Sequence, residues 1–533
     1  MAAHLSTGPQ ASPATFTHYV AAVLASLERR GDETALRWRG APVTAREFHR
    51  SITGAAAGLR RLGAGPGTTI GVLTEANSPV TLTARYAAHL LGATVVHIRS
   101  TNPGLLAAEL PSAAQADVLR ETGADLLLVD PPHADQGRAA ADLLDRTIAL
   151  AGFGECGAGI TDIAAGPVAP QEGPVLAAPD RAVVTYTSGS TGRPKGICQS
   201  FAAWNGTVLA AYPALSDAGP VRFLVITPVS HSVGVILDIV IAAGGTVVLH
   251  AQFDPGEALR AIESERITGT YMAVPQLYAL LDHPRLADTD VSSLRQLMYA
   301  GCPASPERLV QAVGAFGPAL MQNYGTTEAG RISVLGPQDH QKPQLLSSAG
   351  RPFPEVELRI CDPDSEQELA RQLTGEVWVR SPNVMSGYLA DPGLTARTVR
   401  EGWLRTGDLG YRDEAGYLYL VGRLHDVIKS HATKIHPAAV EQALMSHQGV
   451  ANAAVYRMRD ADELEFVHAA VALRPGAACT SEQLRRHVGV RLTPLHAPVR
   501  IVRRGSLPLT ESGKVDRRLL QALDASTPAL DDV

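Results

Sequence analysis

The sequence predicts an α/β protein with a large multi-layer N-terminal domain of mostly parallel sheets and a small distorted barrel, followed by a small C-terminal α+β domain. Three observations support this prediction. The chain has 533 residues, too many for one hydrophobic core. Helical patterns alternate with short β-rich runs over most of its length, which is typical of parallel sheets connected by helices. After about residue 355, closely spaced runs that alternate apolar and polar residues indicate hairpins or a barrel.

The N-terminal elements follow one another in a regular order. Residues 45–62 carry apolar side chains at helical spacing and end at a glycine-proline turn. Strands are predicted at residues 69–73, 125–129, 221–227, 245–250, 269–274 and 294–301. Residues 232–249 are apolar, but Asp238 lies within them and two glycines interrupt them. They are therefore predicted to be a buried helix, a turn and a strand, and not a membrane span.

The C-terminal part has a different pattern of apolar and polar residues. Alternating runs at residues 356–361, 376–380 and 417–421 predict the hairpins or barrel, and a helix at 437–446 with strands at 451–458 and 466–473 predicts the α+β domain. The predicted division is a flexible N-terminus at 1–16, a core at 17–423, a C-terminal domain at 424–522 and a flexible tail at 523–533. No internal repeat is visible in the sequence.

Composition and charge exclude several classes of protein. The net charge is -6 and the pI is near 6.3, so nucleic acid is not an expected partner. The five cysteines are scattered without a close pair, which fits neither a zinc site nor a disulfide framework. Residues 1–13 lack a basic start followed by an apolar run. Together these features predict a cytoplasmic protein that does not span a membrane.

The most informative segment is residues 185–196, which read TYTSGSTGRPKG after a strand-like run. Inward-turned backbone N–H groups, hydroxyl donors and a lysine charge suit a phosphate group. A Walker loop is excluded because Pro194 precedes the lysine and Gly196 follows it. A flexible surface turn is the alternative interpretation. The predicted phosphate-binding residues are Thr187, Ser188, Gly189, Ser190, Thr191, Gly192 and Lys195.

Further motifs follow this loop in a fixed order: PVSH at 228–231, YAG at 299–301, NYGTTE at 323–328, TGE at 374–376, WLRTGD at 403–408, GR at 422–423 and LPLTESGK at 507–514. With the loop, they resemble the adenylate-forming superfamily, which includes acyl-CoA and aryl-CoA ligases, peptide-synthetase adenylation domains and firefly luciferase. The resemblance extends from about residue 30 to about residue 520. It implies that ATP and Mg²⁺ activate a small acid as its adenylate with release of pyrophosphate, and that the activated group then passes to an acceptor.

The resemblance also implies roles for individual residues. Lys514 would be the catalytic lysine, which bridges the attacking acid and the α-phosphate where negative charge develops. Thr327 would hydrogen-bond the α-phosphate, and Glu328 would hold Mg²⁺, a cation that prefers carboxylate and phosphate oxygens. Tyr324 would stack on adenine, and Asp408 would accept hydrogen bonds from the ribose hydroxyls. The other implied ATP-binding residues are Asn323, Gly325, Thr326, Arg423 and Lys434.

Three of these residues also have a plainer interpretation. Lys514 would then be an ordinary surface lysine, and Asp408 would be a turn residue in a Thr-Gly-Asp sequence. Arg423 would be one partner of a structural ion pair at the domain junction.

The resemblance places the acid pocket around His231 and Gly301, with Ala300 and Gly330 beside them. His231 alternatively is a core histidine with satisfied hydrogen bonds. Asp238 lies in an apolar run and needs a partner, because an unpaired buried carboxylate is costly. The partners considered are a substrate amino group, a nearby basic side chain, a helix end or solvent.

Two positions bear on the second half-reaction. His425 stands at the hinge about which a C-terminal lid domain, residues 424–522, would turn between the half-reactions. Ala432 stands where related CoA ligases have a glycine that admits the pantetheine arm. Its methyl group restricts close backbone approach, so the sequence raises doubt about CoA as the acceptor but not about adenylate formation.

Three functions are compatible with the sequence. The favoured function is an acyl- or aryl-CoA ligase. The second is an adenylating enzyme whose acceptor is an amine or a carrier-protein thiol, including an ATP-dependent diazotase that activates nitrite for an arylamine. The third is a luciferase-like oxidative enzyme or a degenerate ligand-binding protein. Intact Lys514, Glu328 and Asp408 argue against degeneration.

Overall fold

The computed structural model describes residues 17–99, 109–164, 177–187, 194–430, 433–460, 464–474, 476–508 and 515–526. It shows a mixed α/β architecture, as predicted. The predicted strands and helices are present within about two residues of their expected bounds, and the strand at 69–73 is present without change.

The first half of the core is a parallel sheet with helices on its faces. Its elements are α1 (Tyr19–Arg30), β1 (Thr34–Trp38), β2 (Ala41–Thr44), α2 (Ala45–Arg61), β3 (Thr69–Leu73), α3 (Pro79–Leu90), β4 (Thr94–His97), α4 (Ser112–Thr122), β5 (Leu126–Val129), a 3₁₀ turn (Pro131–His133), α5 (Ala134–Asp142), β6 (Ala149–Gly152) and β7 (Thr161–Asp162). Strands β4, β3, β5, β6 and β7 lie side by side in that order and are parallel.

The second half of the core is built in the same way. Its elements are β8 (Arg181–Thr187), β9 (Lys195–Ser200), α6 (Phe201–Asp217), β10 (Arg222–Val225), α7 (Val233–Ala242), β11 (Thr246–Leu249), α8 (Pro255–Ser264), β12 (Gly269–Ala273), α9 (Val274–Leu281), a 3₁₀ turn (Pro284–Asp288), β13 (Gln296–Ala300), α10 (Pro306–Phe316), a 3₁₀ turn (Gly317–Ala319), β14 (Leu320–Thr326), β15 (Gly330–Leu335), α11 (Pro337–His340), a 3₁₀ turn (Pro343–Leu345) and β16 (Arg351–Pro352). Strands β11, β10, β12, β13 and β14 form its parallel part.

The two parallel sheets therefore share one topology. Numbered along the chain within each half, both have the strand order 2-1-3-4-5. Strands β8 and β9 extend the first sheet, and β1 and β2 cross over to the edge of the second. The chain thus contains a structural repeat that its amino-acid sequence does not reveal.

The region predicted as a small distorted barrel is a five-stranded antiparallel sheet. Its elements, together with a short strand that joins the first sheet, are β17 (Glu357–Cys361), β18 (Gly375–Arg380), β19 (Gly387–Tyr388), α12 (Pro392–Thr398), β20 (Val399–Arg400), β21 (Trp403–Arg412) and β22 (Leu418–Arg423). The long strand β21 pairs with β18, β20 and β22, while β19 pairs with β9.

The C-terminal domain follows a short turn after Arg423. Its elements are β23 (Ile428–Ser430), β24 (Thr433–Ile435), α13 (Pro437–Met445), β25 (Val450–Arg459), β26 (Glu465–Leu473), α14 (Ser481–Arg491), a 3₁₀ turn (Pro494–His496), β27 (Arg500–Arg504) and α15 (Arg517–Ala525). The predicted start of a flexible tail at residue 523 is wrong. Asp524 is buried and accepts hydrogen bonds from Tyr456 and His468, so α15 continues to Ala525.

Helices α3 and α7 are the most buried of the core. Ser78 caps α3 and Pro79 fills its first turn, which explains where this helix begins. Helix α7 is the apolar helix predicted within residues 232–249. None of the helices in the described residues is long and apolar enough to cross a membrane.

His89 shows how a polar side chain is accommodated in α3. It is fully buried; its Nε2 lies 2.9 Å from the carbonyl oxygen of Ala182, and its Nδ1 lies 2.7 Å from the hydroxyl of Tyr19. A carbonyl only accepts, so Nε2 carries the hydrogen and Nδ1 accepts from Tyr19. Burial, opposed in part by the Ala182 hydrogen bond, lowers the pKa of His89 to about 3. The imidazole is therefore neutral in the folded protein.

This burial predicts acid sensitivity. In the unfolded chain His89 binds a proton near pH 6.5, whereas in the folded protein it does not. The contribution of neutral His89 to the unfolding free energy is therefore complete above pH 6.5 and is lost as the pH falls toward 3. We expect His89 to account for about 2 kcal/mol of the fall in unfolding free energy between pH 7 and pH 5. In His89→Gln the unfolding free energy, measured by urea denaturation at pH 7 and pH 5, should fall by less than in wild type. A control substitution of the exposed His425 to Gln should retain the wild-type difference. Equal pH dependence of His89→Gln and wild type would contradict this prediction.

Candidate active site

Three predicted site segments meet at one edge of the second parallel sheet. His231 follows β10, Gly301 follows β13, and the turn with Thr327 and Glu328 follows β14. The carboxyl ends of parallel strands lie at the same edge, where α/β sheets bind ligands. Because β10 is also the strand at which the strand order changes direction, His231 lies at the switch point of the sheet.

Residues 327–329 form the turn of a hairpin between β14 and β15. Gly330 ends the turn with φ +67°, and the Thr326 hydroxyl accepts a hydrogen bond from the amide of Ala329 at 3.0 Å. Opposite, a Cβ on Gly325 would stand 2.2 Å from the carbonyl oxygen of Gly330. Both glycines are thus required by the backbone of this turn. The turn projects Thr327 and Glu328 from the end of the sheet.

Tyr324, Asp408 and Arg423 form a hydrogen-bonded group between this hairpin and β21–β22. The hydroxyl of Tyr324 donates to Asp408 Oδ2 at 2.6 Å, and Arg423 Nε lies 2.7 Å from Asp408 Oδ1. The Asp408 side chain is buried, while that of Arg423 is 52% exposed. Burial and the Asp408 carboxylate raise the pKa of Tyr324, which stays protonated and continues to donate. The ion pair considered as an alternative for Arg423 is present, but it joins two neighbouring strands and does not bridge the two domains.

Glu328, Tyr388 and Lys195 form a second group. The hydroxyl of Tyr388 donates to Glu328 Oε1 at 3.1 Å, and Lys195 Nζ lies 5.7 Å from the centre of the Tyr388 ring. The carbonyl oxygen of Glu328 accepts from the amide of Met385 at 2.7 Å, which holds the turn against the β19 segment. Because β19 pairs with β9, this group stands where the chain leaves the predicted phosphate loop.

Glu328 fits the predicted magnesium role. Within the described ranges, no three His, Cys, Asp or Glu side chains are grouped to hold a metal ion without help. Mg²⁺ is commonly held by one or two carboxylates together with substrate phosphates. Glu328 is one such carboxylate beside the predicted phosphate loop, and its magnesium role stays a prediction.

Among the residues predicted to line the acid pocket, Gly301 has open space beside it, whereas Asp238 is buried and its prediction is corrected. Gly301 is exposed with φ +98°, and no atom stands within 4 Å of where its Cβ would be. Asp238, in contrast, is 0% exposed and accepts hydrogen bonds from Arg85, Tyr86 and Trp204. Its partner is the nearby basic side chain. Burial excludes a substrate amino group and solvent as partners of Asp238, and its place inside α7 excludes capping of a helix end.

The other predicted residues are placed as follows. His425 lies in an exposed turn between β22 and β23, where the core joins the C-terminal domain. Its role as a hinge stays a prediction. Lys434 is exposed on β24. The pKa of Asp362 is lowered mainly by hydrogen bonds from Ser365, and the charge of Lys434 adds to that effect. Ala300 ends β13, and Asn323 pairs with Val334 within the hairpin. Lying outside the described residues are Ser188, Gly189, Ser190, Thr191, Gly192, Ala432 and Lys514.

Sequence reasoning did not identify Tyr388 or Arg85 as site-related residues. Tyr388 belongs to none of the motifs, and only the pairing of β19 with β9 brings it to Glu328. Arg85 could have been noticed, because it is a single charge in an apolar helix, as is Asp238. Two isolated opposite charges in apolar helices indicate a buried pair.

The chain matches known proteins over most of its length. The family model of AMP-binding enzymes matches residues 23–389, and that of the AMP-binding enzyme C-terminal domain matches residues 439–514. The chain is similar to the medium/long-chain-fatty-acid–CoA ligase FadD8 of Mycobacterium tuberculosis, with 32% identity over 95% of this chain and 90% of that protein. It is also similar to a feruloyl-CoA synthase of Amycolatopsis sp., with 35% identity over 90% and 94%.

A solved structure adds a relative with a different name. The amide bond synthetase McbA from Marinactinospora thermotolerans superposes with a TM-score of 0.85 at 36% identity, covering 95% of this chain and 99% of that one.

The Tyr388–Glu328 hydrogen bond generates a prediction about metal dependence. Tyr388→Phe removes the hydroxyl that orients Glu328, and loss of such an outer partner typically weakens metal affinity about 10-fold or more. We expect the Mg²⁺ concentration for half-maximal pyrophosphate release from ATP to rise by about that factor. Tyr411→Phe is the matched control, since Tyr411 stacks on Tyr419 in the antiparallel sheet. An unchanged Mg²⁺ midpoint in Tyr388→Phe would show that Tyr388 does not support the metal ligand.

Proposed function

The chain belongs to the family of AMP-binding enzymes, and we propose that it activates a small carboxylic acid as its adenylate and transfers the acyl group to a nucleophilic acceptor. It is an AMP-forming, ATP-dependent, acid-activating ligase. The observation that carries the proposal is the meeting of the Tyr324–Asp408–Arg423 group with the Thr327–Glu328 turn at the carboxyl edge of the sheet. Nucleotide and acid would share this edge with His231 and Gly301.

The first half-reaction requires positive charge because both reactants are anionic. A carboxylate oxygen of the acid attacks the α-phosphorus, the bond from that phosphorus to the bridging oxygen breaks, and pyrophosphate leaves. Lys195 and Arg423 would neutralise phosphate charge from the core, and Lys514 would do so from the lid domain. Glu328 would hold Mg²⁺, which neutralises the phosphates when bound.

The nucleotide would be oriented by the hydrogen-bonded group. The Asp408 carboxylate accepts from Tyr324 and pairs with Arg423, and each oxygen of a carboxylate can accept more than one hydrogen bond. These oxygens would accept the ribose hydroxyls, while the ring of Tyr324 would stack on adenine. The Thr327 hydroxyl would donate to the α-phosphate. Thr187, at the end of β8, would begin the phosphate loop.

The second half-reaction has two candidate acceptors. The relatives FadD8 and feruloyl-CoA synthase are CoA ligases by name, which supports a CoA thiol. McbA is an amide bond synthetase by name, which supports an amine. In both reactions the acceptor attacks the acyl carbon and AMP leaves with the electron pair of the broken C–O bond. CoA is the favoured acceptor. Ala432, whose methyl group would restrict the approach of a pantetheine arm, is the residue of this chain that favours an amine instead.

Lys514 provides the test of the first half-reaction. With Lys514→Ala we expect acid-dependent exchange of labelled pyrophosphate into ATP to fall by about 100-fold or more, because a contact to the developing charge is lost. ATP binding, measured by calorimetry, should change much less. Lys342→Ala, at an exposed position between α11 and the following 3₁₀ turn, is the control and should leave exchange unchanged. Retention of wild-type exchange in Lys514→Ala would remove the lysine from the proposed site.

The acceptor is tested with a panel of acids, nitrite included, by following pyrophosphate release with CoA, with amines or with neither. Stimulation by CoA with a carboxylic acid would support the ligase, and stimulation by an amine would support the alternative. If the methyl of Ala432 obstructs a thiol arm, Ala432→Gly should raise CoA-dependent turnover while leaving pyrophosphate exchange unchanged. Unaltered CoA turnover would show that Ala432 does not select the acceptor.

A further inference from the structure

The segment that carries His231 has no repetitive structure, yet its backbone is held firmly. Residues 226–232 connect β10 to α7. Val229 is fully buried, so its N–H and C=O both need partners. The N–H donates to Asn77 Oδ1 at 3.0 Å, and the carbonyl accepts from Arg85 Nη1 at 3.1 Å. Both partners are side chains of the first half of the core, from the turn before α3 and from α3.

Arg85 is able to hold this segment because its own orientation is fixed. Its Nη2 lies 2.5 Å from Asp238 Oδ1, and the exposed fractions of the two side chains are 1% and 0%. Asp238 in turn accepts from the hydroxyl of Tyr86 at 2.7 Å and from Trp204 Nε1 at 2.8 Å. A guanidinium is a rigid planar fork. Pairing one arm with Asp238 therefore aims the other arm at Val229.

Asn77 is fixed in a comparable way. Its side chain is 2% exposed, and its Nδ2 donates to the carbonyl oxygen of His250 at 2.9 Å. His250 directly follows β11, and Val229 lies four residues beyond β10. One amide side chain thus links the carboxyl ends of two neighbouring strands of the second sheet.

The far end of the segment has no free space. Arg85 Nη2 also donates to the carbonyl oxygen of Gly234 at 3.3 Å, and the amide of Gly234 donates to the carbonyl oxygen of His231 at 2.7 Å. A Cβ at position 234 would stand 2.6 Å from the Val229 oxygen and 2.7 Å from Arg85 Nη1. His231 is therefore presented between two points that are both tied to one guanidinium.

We propose that Asn77 and Arg85 are positioning residues that set the wall of the acid pocket through residues 229–234, and that Asp238 serves the reaction only by orienting Arg85. This inference rests on the proposed function, in which His231 lines the pocket. The proposed nucleotide-binding groups stand on β14, β21 and β22, whereas the backbone of this segment is bonded to Asn77 and Arg85 of the first half. Displacement of the segment should therefore affect the acid and spare ATP.

The test compares Asn77→Ala and Arg85→Lys with Arg308→Lys. Arg308 is a matched control because it is also buried and also binds both a carboxylate, Asp282, and a main-chain oxygen, but on α9 and α10. Two measurements are made on folded protein: hydrogen exchange of the amides in residues 226–234, and steady-state pyrophosphate release with a series of acids that differ by one methylene.

In Asn77→Ala and Arg85→Lys we expect exchange in residues 226–234 to accelerate at least about 10-fold, since each loses a backbone partner. The KM for the acid should rise about 10- to 100-fold, and the preference among acids should change. The KM for ATP should stay within about twofold, and Arg308→Lys should resemble wild type in all respects. Asn77→Ala keeps the test decisive if Arg85→Lys does not fold.

Unchanged amide exchange in these residues would overturn the proposal, as would faster exchange with an unaltered KM and preference for acids. A parallel rise of the KM values for acid and ATP would also overturn it, because it would indicate general loosening of the core. If the wild-type protein released no pyrophosphate with any acid, the proposed function would fail instead. Amide exchange would then still decide whether Asn77 and Arg85 hold the segment.

Discussion

The ion pair between Arg85 and Asp238 joins the two α/β halves of the core, and the candidate site depends on it. Each partner is the single charged residue of an apolar helix, and neither has access to water. Burial raises the pKa of Asp238, while the charge of Arg85 and the hydrogen bonds from Tyr86 and Trp204 oppose that rise. Removing one partner of such a pair typically costs about 3–5 kcal/mol. A pair of well-packed apolar residues would be equally stable, but it would have no donors for Val229 and Gly234.

The two halves of the core have the same strand order but contribute different residues to the candidate site. Both sheets have their switch point at the first strand and both present loops at their carboxyl edges. In the second half these loops carry His231, Gly301 and the Thr327–Glu328 turn. In the first half, the loop after β3 carries Asn77, whose bonds go to the second half. The second half therefore carries the proposed pocket residues, and the first half supplies side chains that hold the segment with His231.

The antiparallel sheet and the β19 segment contribute further residues to the candidate site. Asp408 and Arg423 pair across β21 and β22, and their ion pair stands against Tyr324 of the hairpin. Tyr388 connects Glu328 with Lys195, so the predicted metal ligand and the base of the phosphate loop are coupled through one ring. These contacts pre-organise charge and hydrogen bonds before any nucleotide arrives, which is the usual basis of electrostatic catalysis. The exposed turn with His425 connects this sheet to the C-terminal domain.

The sequence by itself determined the local elements and the chemistry of the motifs. Periodicity placed α2 correctly because burial of one helix face is a local property, and β3 was placed by its β-rich run after a glycine-proline turn. The resemblance of the ordered motifs to a known superfamily indicated the family, and the two family models confirm it. The partner of Asp238 was different: a basic side chain was only one of several possibilities considered for it.

Only the tertiary structure decided which distant groups meet. Arg85 lies 153 residues before Asp238, and Tyr388 lies 60 residues after Glu328. Nothing local to either partner specifies such a pairing, because it follows from which helices and strands are packed together. The repeat of the strand order was hidden for the same reason: many unrelated sequences satisfy one pattern of burial. The residues proposed to bind were thus visible in the sequence, whereas the contacts that hold them in place were not.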